Sequence, residues 1–212
     1  MLLGHAAMAQ EFVASDGALS DDDFYRLVAC AAPPGGDCAK PMVRWTQDRP
    51  LRVGIVRMDR AFLGGKAKRA RAALVRAVQQ VNAAEAGVRL IVVDAQDVPD
   101  IPILMVDAEA GAMLAGTGVD GLDGQRIGGA STRVWYRPDG EVLRAAVLFS
   151  RTLSIRSYES AMLEELVQAL GLLTDIRNPF YDTRSVLSQD SNAVKRLGAQ
   201  DIMALRRHYP EG

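Results

Sequence analysis

Histidine is one of the scarcest residues of this chain. Its 212 residues include only two histidines, His5 and His208, which lie near opposite ends of the sequence. Neither belongs to a spaced cluster with cysteine or carboxylate residues. Because imidazole is a principal zinc ligand in proteins, this scarcity excludes a zinc site made mainly of histidines.

Long apolar runs and an excess of one charge are also missing. The chain has 25 Lys and Arg residues against 26 Asp and Glu residues, which gives a net charge of -1. Proteins that bind nucleic acid usually carry a basic surplus, so the composition predicts no nucleic-acid partner. No apolar run approaches the ~20 residues of a membrane helix, so the sequence predicts no membrane span. With 49% hydrophobic residues, the chain is expected to form a single globular domain.

Cysteine is equally scarce, and its placement is informative. Cys30 and Cys38 are the only two, and they flank the sequence Ala-Ala-Pro-Pro-Gly-Gly-Asp, which must turn sharply. A pair that closes a short Pro/Gly loop favours a disulfide over a metal site, because zinc sites need more ligands at closer spacing. Two unlinked thiols in a cytosolic protein are the alternative.

Residues 1–9 predict export. They end in an Ala-x-Ala pattern at Ala7 and Ala9, just before Gln10, as a secretory cleavage site does. No basic residue precedes the short apolar part, so the segment would be the remnant of a signal peptide that starts upstream. We therefore expect a periplasmic or extracellular protein, the alternative being a small-residue N-terminus.

Strand and helix signals alternate from residue 51 onwards. Residues 10–50 are predicted to form an N-terminal helix that starts after Ser20, the cysteine loop and a connector, packed on a domain formed by residues 51–212. The strands are predicted at 51–56, 88–93, 101–106, 131–136 and 141–150, with a helix at 66–84. The first strand-helix-strand unit implies parallel strands, and the last two strands form a hairpin. The fold class is therefore α+β, with a mixed sheet of about five strands and a backing helix.

A glycine-rich stretch at 111–129 separates the third strand from the hairpin. It contains a formal G-x-G-x-x-G match, but no amphipathic helix follows to hold a pyrophosphate. We interpret it as a long mobile loop.

One amphipathic helix is predicted within residues 157–175. Ser157 is the expected cap and Gly171 the expected end. The residues predicted to face the core are Met162, Leu163, Leu166, Val167 and Leu170. The opposite stripe is polar, and its members are Ser157, Ser160, Glu164 and Gln168, with Glu165 at the margin. This stripe is the candidate site.

The segment Glu164-Glu-Leu-Val-Gln-Ala-Leu-Gly-Leu-Leu-Thr174 resembles the metzincin zinc-protease helix, H-E-x-x-H-x-x-G-x-x-H. Residues 185–188 lie where those enzymes have their Met-turn, and residues 197–209 resemble their closing helix. In detail the chain is most similar to an uncharacterised exported family, domain of unknown function 2927, whose helix is typically E-E-L-x-Q-x-L-G-L. The resemblance implies a zincin-like fold with a core active-site-type helix and a C-terminal helix.

The departures from the metzincin pattern bear on function. The general base, Glu165, and the glycine, Gly171, are retained. The three ligand positions hold Glu164, Gln168 and Thr174, and the turn methionine is replaced by Leu187. Losing all three imidazoles should remove most zinc affinity, and without metal Glu165 has no activated water to deprotonate. We therefore expect no cofactor, and zinc in particular is not expected.

Three interpretations follow. The first is a pseudo-metallopeptidase, an exported binding or scaffold module whose partner, an extended peptide or an envelope protein, docks by strand addition at a sheet edge. The second is a metal-dependent hydrolase with an oxygen-rich site made by Glu164, Gln168 and Asp175, using Glu165 as base. The third, compatible with the first, is that Glu164 and Gln168 hydrogen-bond to Thr174, Asp175 and nearby loops and hold the helix end. The sequence does not determine the oligomeric state.

Overall fold

The computed structural model describes residues 5–9, 11–94 and 96–211. The fold is α+β, as predicted. Its strands are β1 (His5–Ala9), β2 (Glu11–Ala14), β3 (Leu51–Met58), β4 (Leu90–Val92), β5 (Ile101–Val106), β6 (Ala130–Tyr136), β7 (Val142–Ser150) and β8 (Thr174–Arg177). Its helices are α1 (Asp21–Cys30), α2 (Gly65–Ala83), α3 (Tyr158–Ala169) and α4 (Ala199–His208).

The main sheet is mixed and has the order β1-β6-β7-β5-β3-β4. Strands β4, β3, β5 and β7 run parallel to one another, and β6 runs antiparallel to β7. These are the five predicted strands, so the mixed sheet is confirmed. Helix α2 follows β3 and precedes β4 in the chain, so these three elements form the strand-helix-strand unit whose strands are parallel.

A sixth strand comes from the first residues of the chain. β1 pairs antiparallel with the outer edge of β6, with Ala7 opposite Val134. It falls within the segment predicted to be a signal remnant, of which residues 1–4 lie outside the described residues. Removal of that segment stays a prediction.

The N-terminal segment then joins a second, two-stranded sheet. β2 pairs parallel with β8, so that Phe12 is the register partner of Asp175. On its other side β8 is bridged to the turn at residues 185–188, where the Ile176 amide donates to the carbonyl of Leu187 at 2.8 Å. Strand β1 therefore lies on the edge of β6, and strand β2 lies on β8.

The two faces of the main sheet are covered differently. Helices α1 to α4 contribute to one large core on one face. On the other face, Leu114, Leu122 and Ile127 of the glycine-rich loop pack on Leu104 and Leu148 of the sheet. The loop has no α-helix, as expected, and three of its apolar side chains, those of Leu114, Leu122 and Ile127, are buried against the sheet.

The N-terminal helix and the cysteine loop agree with the sequence analysis. The backbone amide of Asp23 donates to Oγ of Ser20 at 3.1 Å, which caps α1. Cys30 and Cys38 form a disulfide with a Cα–Cα distance of 5.1 Å. Trp45 fixes the connector by donating its indole N–H to the carbonyl of Ala169 at 2.9 Å. None of the described helices is long and apolar enough to cross a membrane.

Candidate functional site

The start of helix α3 differs from the prediction in its capping, whereas its end agrees with the prediction. Ser157 occupies the N-cap position, as predicted, but its side chain makes no capping hydrogen bond. A short 3₁₀ turn at Ile155–Ser157 precedes the helix, and the hydroxyl of Ser154 caps that turn by accepting from the Arg156 amide at 3.3 Å. The ending at Gly171 is confirmed, since this residue has φ +104° and a Cβ there would collide with the carbonyl of Val43.

The polar stripe of α3 lies inside the protein. The five residues predicted to face the core are fully buried. However, Ser160, Glu165 and Gln168 are also no more than 3% exposed, and Glu164 is only partly exposed. Buried polar side chains require partners, so the stripe must be described through its contacts with β6 and β8.

Glu165 is held by strand β6. The hydroxyl of Thr132 lies 2.7 Å from Oε2 of Glu165 and 3.0 Å from its backbone carbonyl oxygen. Burial raises the pKa of Glu165 to about 8, with the charge of Asp175 adding to the rise, while the Thr132 hydrogen bond and the charge of Arg133 oppose it. The expected general base therefore carries a proton for much of the time near neutral pH.

Gln168 is tied to Asp175. Its Nε2 donates to Oδ1 of Asp175 at 2.7 Å, across the reversal that Gly171 allows. Asp175 is 2% exposed, and burial raises its pKa to about 7 against the Gln168 hydrogen bond and the charge of Lys40. This is one of the contacts that the third interpretation predicts, and it is confirmed.

Glu164 and Thr174 complete the set of motif-equivalent ligand positions. Burial raises the pKa of Glu164 well above its usual range, and the charges of Asp175 and Glu165 raise it further. Thr174 is 1% exposed, and its Oγ1 has no hydrogen-bond partner in the described parts of the chain. The predicted contact between these two side chains is not among the described hydrogen bonds.

The residues at the ligand positions do not fit zinc. A carboxylate, a carboxamide and a hydroxyl replace three imidazole nitrogens, and the amide of Gln168 is already engaged with Asp175. Within the ranges that the structure describes, no group of three or more His, Cys, Asp or Glu residues is arranged to hold a metal ion.

The turn at residues 185–188 lies next to β8. Leu187 is fully buried. Asp201, in the first turn of α4, accepts from Oγ of Ser185 at 2.6 Å and from the amides of Val186 at 3.0 Å and Gly198 at 2.8 Å. The turn is thus fixed to α4 through one carboxylate, whose pKa burial raises to about 6.

Sequence reasoning missed the residues outside α3 that act on Glu165 and Asp175. Thr132 and Arg133 were assigned to a strand but not to the site, and Lys40 was given no role. The available signal was a charged residue, Arg133, inside an otherwise uncharged strand. A cavity of about 610 Å³ was missed as well; it is lined in part by Tyr25, Arg44 and His208, and by none of the motif residues.

Comparison with models of known protein families and with curated proteins gives no match to this chain. The resemblance to zincins therefore stays a prediction.

Proposed function

We propose that this protein is a zincin-like binding module that does not hydrolyse peptides, and that its ligand is an extended peptide that adds a strand to the outer edge of β6. One observation carries the proposal: the chain's own segment His5–Ala9 pairs antiparallel with that edge over five register positions. Strand addition depends on backbone hydrogen bonds and needs no metal.

The two edges of the main sheet differ in a way that supports this choice. At the opposite edge, the side-chain amide of Asn82 donates to the carbonyl of Leu90 and accepts from its N–H, both at 2.9 Å. These contacts satisfy the outward-facing backbone groups of Leu90, the first residue of β4. Protection of this kind is how proteins prevent strand addition, and the pairing of β6 with β1 shows the other edge accepting a strand.

The edge of β6 also lies beside the motif-bearing helix. Thr132, the register partner of Ala9, holds Glu165 of α3. A peptide on this edge would therefore pass next to the motif positions, as substrates do in the zincins that the chain resembles. The hydrogen-bonded, buried Glu165 and the engaged Gln168 support binding rather than hydrolysis.

Export would make this edge available. The predicted cleavage after Ala9 would remove β1 and leave the backbone groups of β6 without their present strand. The disulfide Cys30–Cys38 fits the oxidising compartment that such cleavage implies. The mature protein would then present an open edge to an extended peptide or a segment of an envelope protein.

A nicked chain tests this proposal. A specific protease site inserted between Gln10 and Glu11 allows β1 to be cut from the folded protein without deleting residues. A fluorescent peptide of residues 1–10 should then bind the nicked protein saturably, as measured by anisotropy, and should not bind the uncut control. No binding to the nicked, folded protein would contradict the proposal.

A second candidate, a metal-dependent hydrolase with an oxygen-rich site, has one observation in its favour. Oε1 of Gln168 and Oγ1 of Thr174 are buried oxygens without partners among the described residues, and such oxygens suit hard cations. Calcium or manganese should then raise the melting temperature, and Glu164→Ala should abolish the rise. An unchanged melting temperature with both ions counts against this candidate.

A further inference from the structure

Strand β6 contains two buried polar side chains whose hydrogen-bonding capacity is not fully used. Ser131 is 2% exposed and Arg133 is 4% exposed. Oγ of Ser131 and Nη1 of Arg133 have no hydrogen-bond partner in the parts of the chain that the structure describes. Because side chains alternate along a strand, both lie on the face of β6 that carries Trp135, opposite to the face from which Thr132 contacts α3.

Arg133 also has no ion-pair partner among the residues that the structure describes. Its Nη2 lies 3.5 Å from the carbonyl oxygen of Arg126, at the outer limit of a hydrogen bond. The acid that acts on it most is Glu165, whose pKa burial raises to about 8, so that near neutral pH it supplies only part of a negative charge. Buried guanidinium groups are normally paired with a carboxylate, so this arrangement is incomplete.

The strand that now lies on the edge cannot complete it. Met8 is the register partner of Arg133, and the five residues of β1, His-Ala-Ala-Met-Ala, include no carboxylate. Directly opposite residues of an antiparallel pair share one face of the sheet. An acidic residue at the register position of Met8 would therefore meet the guanidinium of Arg133, with the hydroxyl of Ser131 two residues away.

We propose that Ser131 and Arg133 form a carboxylate-recognition subsite of the β6 edge, so that the ligand is an extended peptide with Asp or Glu at the position paired with Arg133. The identity of the ligand as a strand rests on the proposed function above. An arginine fork binds a carboxylate through two N–H groups, and the serine hydroxyl adds a third donor. These two residues determine specificity and hold no catalytic role.

The full chain allows the subsite to be tested in cis. Met8→Glu should raise the melting temperature above that of Met8→Gln by roughly 3 to 8 °C, since a charge-assisted bond replaces an unpaired buried guanidinium. In an Arg133→Met background the glutamate should give no gain over the glutamine. No gain in the original background, or an equal gain in both backgrounds, would overturn the proposal.

A control at the neighbouring position keeps the test valid if Arg133→Met does not fold. Residue 7 is the register partner of Val134 and belongs to the other face. Ala7→Glu should therefore give no gain over Ala7→Gln. A gain at position 7 as large as that at position 8 would show a general charge effect and would contradict the subsite.

The nicked chain separates this inference from the proposed function. A labelled peptide of residues 1–10 with Glu at position 8 should bind at least tenfold more tightly than the same peptide with Gln. Binding that is indifferent to residue 8 contradicts the subsite and leaves strand addition intact. A cis gain without any binding in trans contradicts strand addition by a separate peptide and leaves the subsite intact.

Discussion

Burial controls the charge of the acidic side chains around α3. The unfolded chain releases the protons of Asp175 and Glu165 near pH 3.8 and 4.5, whereas the folded protein holds them until about pH 7 and 8. The folded state therefore binds more protons between these values, and its stability must fall as the pH rises. The buried His208 acts in the opposite direction, because its pKa is lowered to about 4, but its effect ends near pH 6.5.

This balance predicts a pH-dependent stability above pH 6.5. The free energy of unfolding should decrease from pH 6.5 to 8.5, with a slope of at most about 1.4 kcal/mol per pH unit for each acid. Glu165→Gln keeps an acceptor for Thr132 and cannot ionise, so its slope should be shallower. Urea denaturation at five pH values measures both slopes, and equal slopes would contradict the assignment.

Gln168 should contribute to stability through a single hydrogen bond. Gln168→Leu leaves the carboxyl group of Asp175 buried without its donor, which should lower the free energy of unfolding by about 1 to 3 kcal/mol. The matched control is Gln79→Leu, at an exposed position of α2, which should change it by less than about 0.5 kcal/mol. If chemical denaturation gives the two variants the same stability, the hydrogen bond from Gln168 to Asp175 does not stabilise the end of α3.

The residues of the site were predictable only where they share one element. Helical period places Glu164 and Gln168 one turn apart, and the glycine at 171 indicates the reversal that brings Asp175 back. Thr132 belongs to the site because β6 packs beside α3, and no local pattern encodes that contact. The burial of the polar stripe was missed for the same reason.

At the scale of elements, α4 is joined to the turn before it by one carboxylate. Asp201 accepts three hydrogen bonds, two of them from backbone amides that would otherwise lack a partner. This arrangement fixes Leu187, and with it the turn beneath β8, to the C-terminal helix.

Asp201→Ala should accordingly lower the free energy of unfolding by more than the loss of a single hydrogen bond would. We expect the free energy of unfolding to fall by about 3 kcal/mol or more, and by less in Asp201→Asn, which keeps one oxygen acceptor. Asp16→Ala, at an exposed position, is the control. Urea denaturation checks the order of the three variants, and a stability of Asp201→Ala within experimental error of the control would contradict it.

Elements with a strong internal period were predictable, and elements defined by a partner were not. The alternating and helical patterns identified β3 to β7, α2 and α3, whereas α1 was indicated by its capping residues and α4 by the family resemblance. The short strands β1, β2 and β8 have no such pattern, since their pairing comes from neighbours far away in sequence. The glycine-rich loop was expected to be mobile because its three buried apolar residues are too far apart to form a periodic signal.

At the scale of the whole molecule, the two N-terminal strands belong to different sheets, since β1 lies on β6 and β2 lies on β8. Helix α3 contacts β6 through Glu165 and β8 through Gln168. The account therefore depends on whether the edge of β6 is a binding surface that β1 occupies within the same chain.

Hydrogen exchange on the nicked protein tests that claim most directly. Mass spectrometry should show faster exchange in residues 130–136 after β1 is cut and washed away, and renewed protection when the peptide of residues 1–10 is added. Residues 90–92, at the opposite edge, should not respond to the peptide. Protection that is absent from residues 130–136, or that appears at 90–92 instead, would contradict the account.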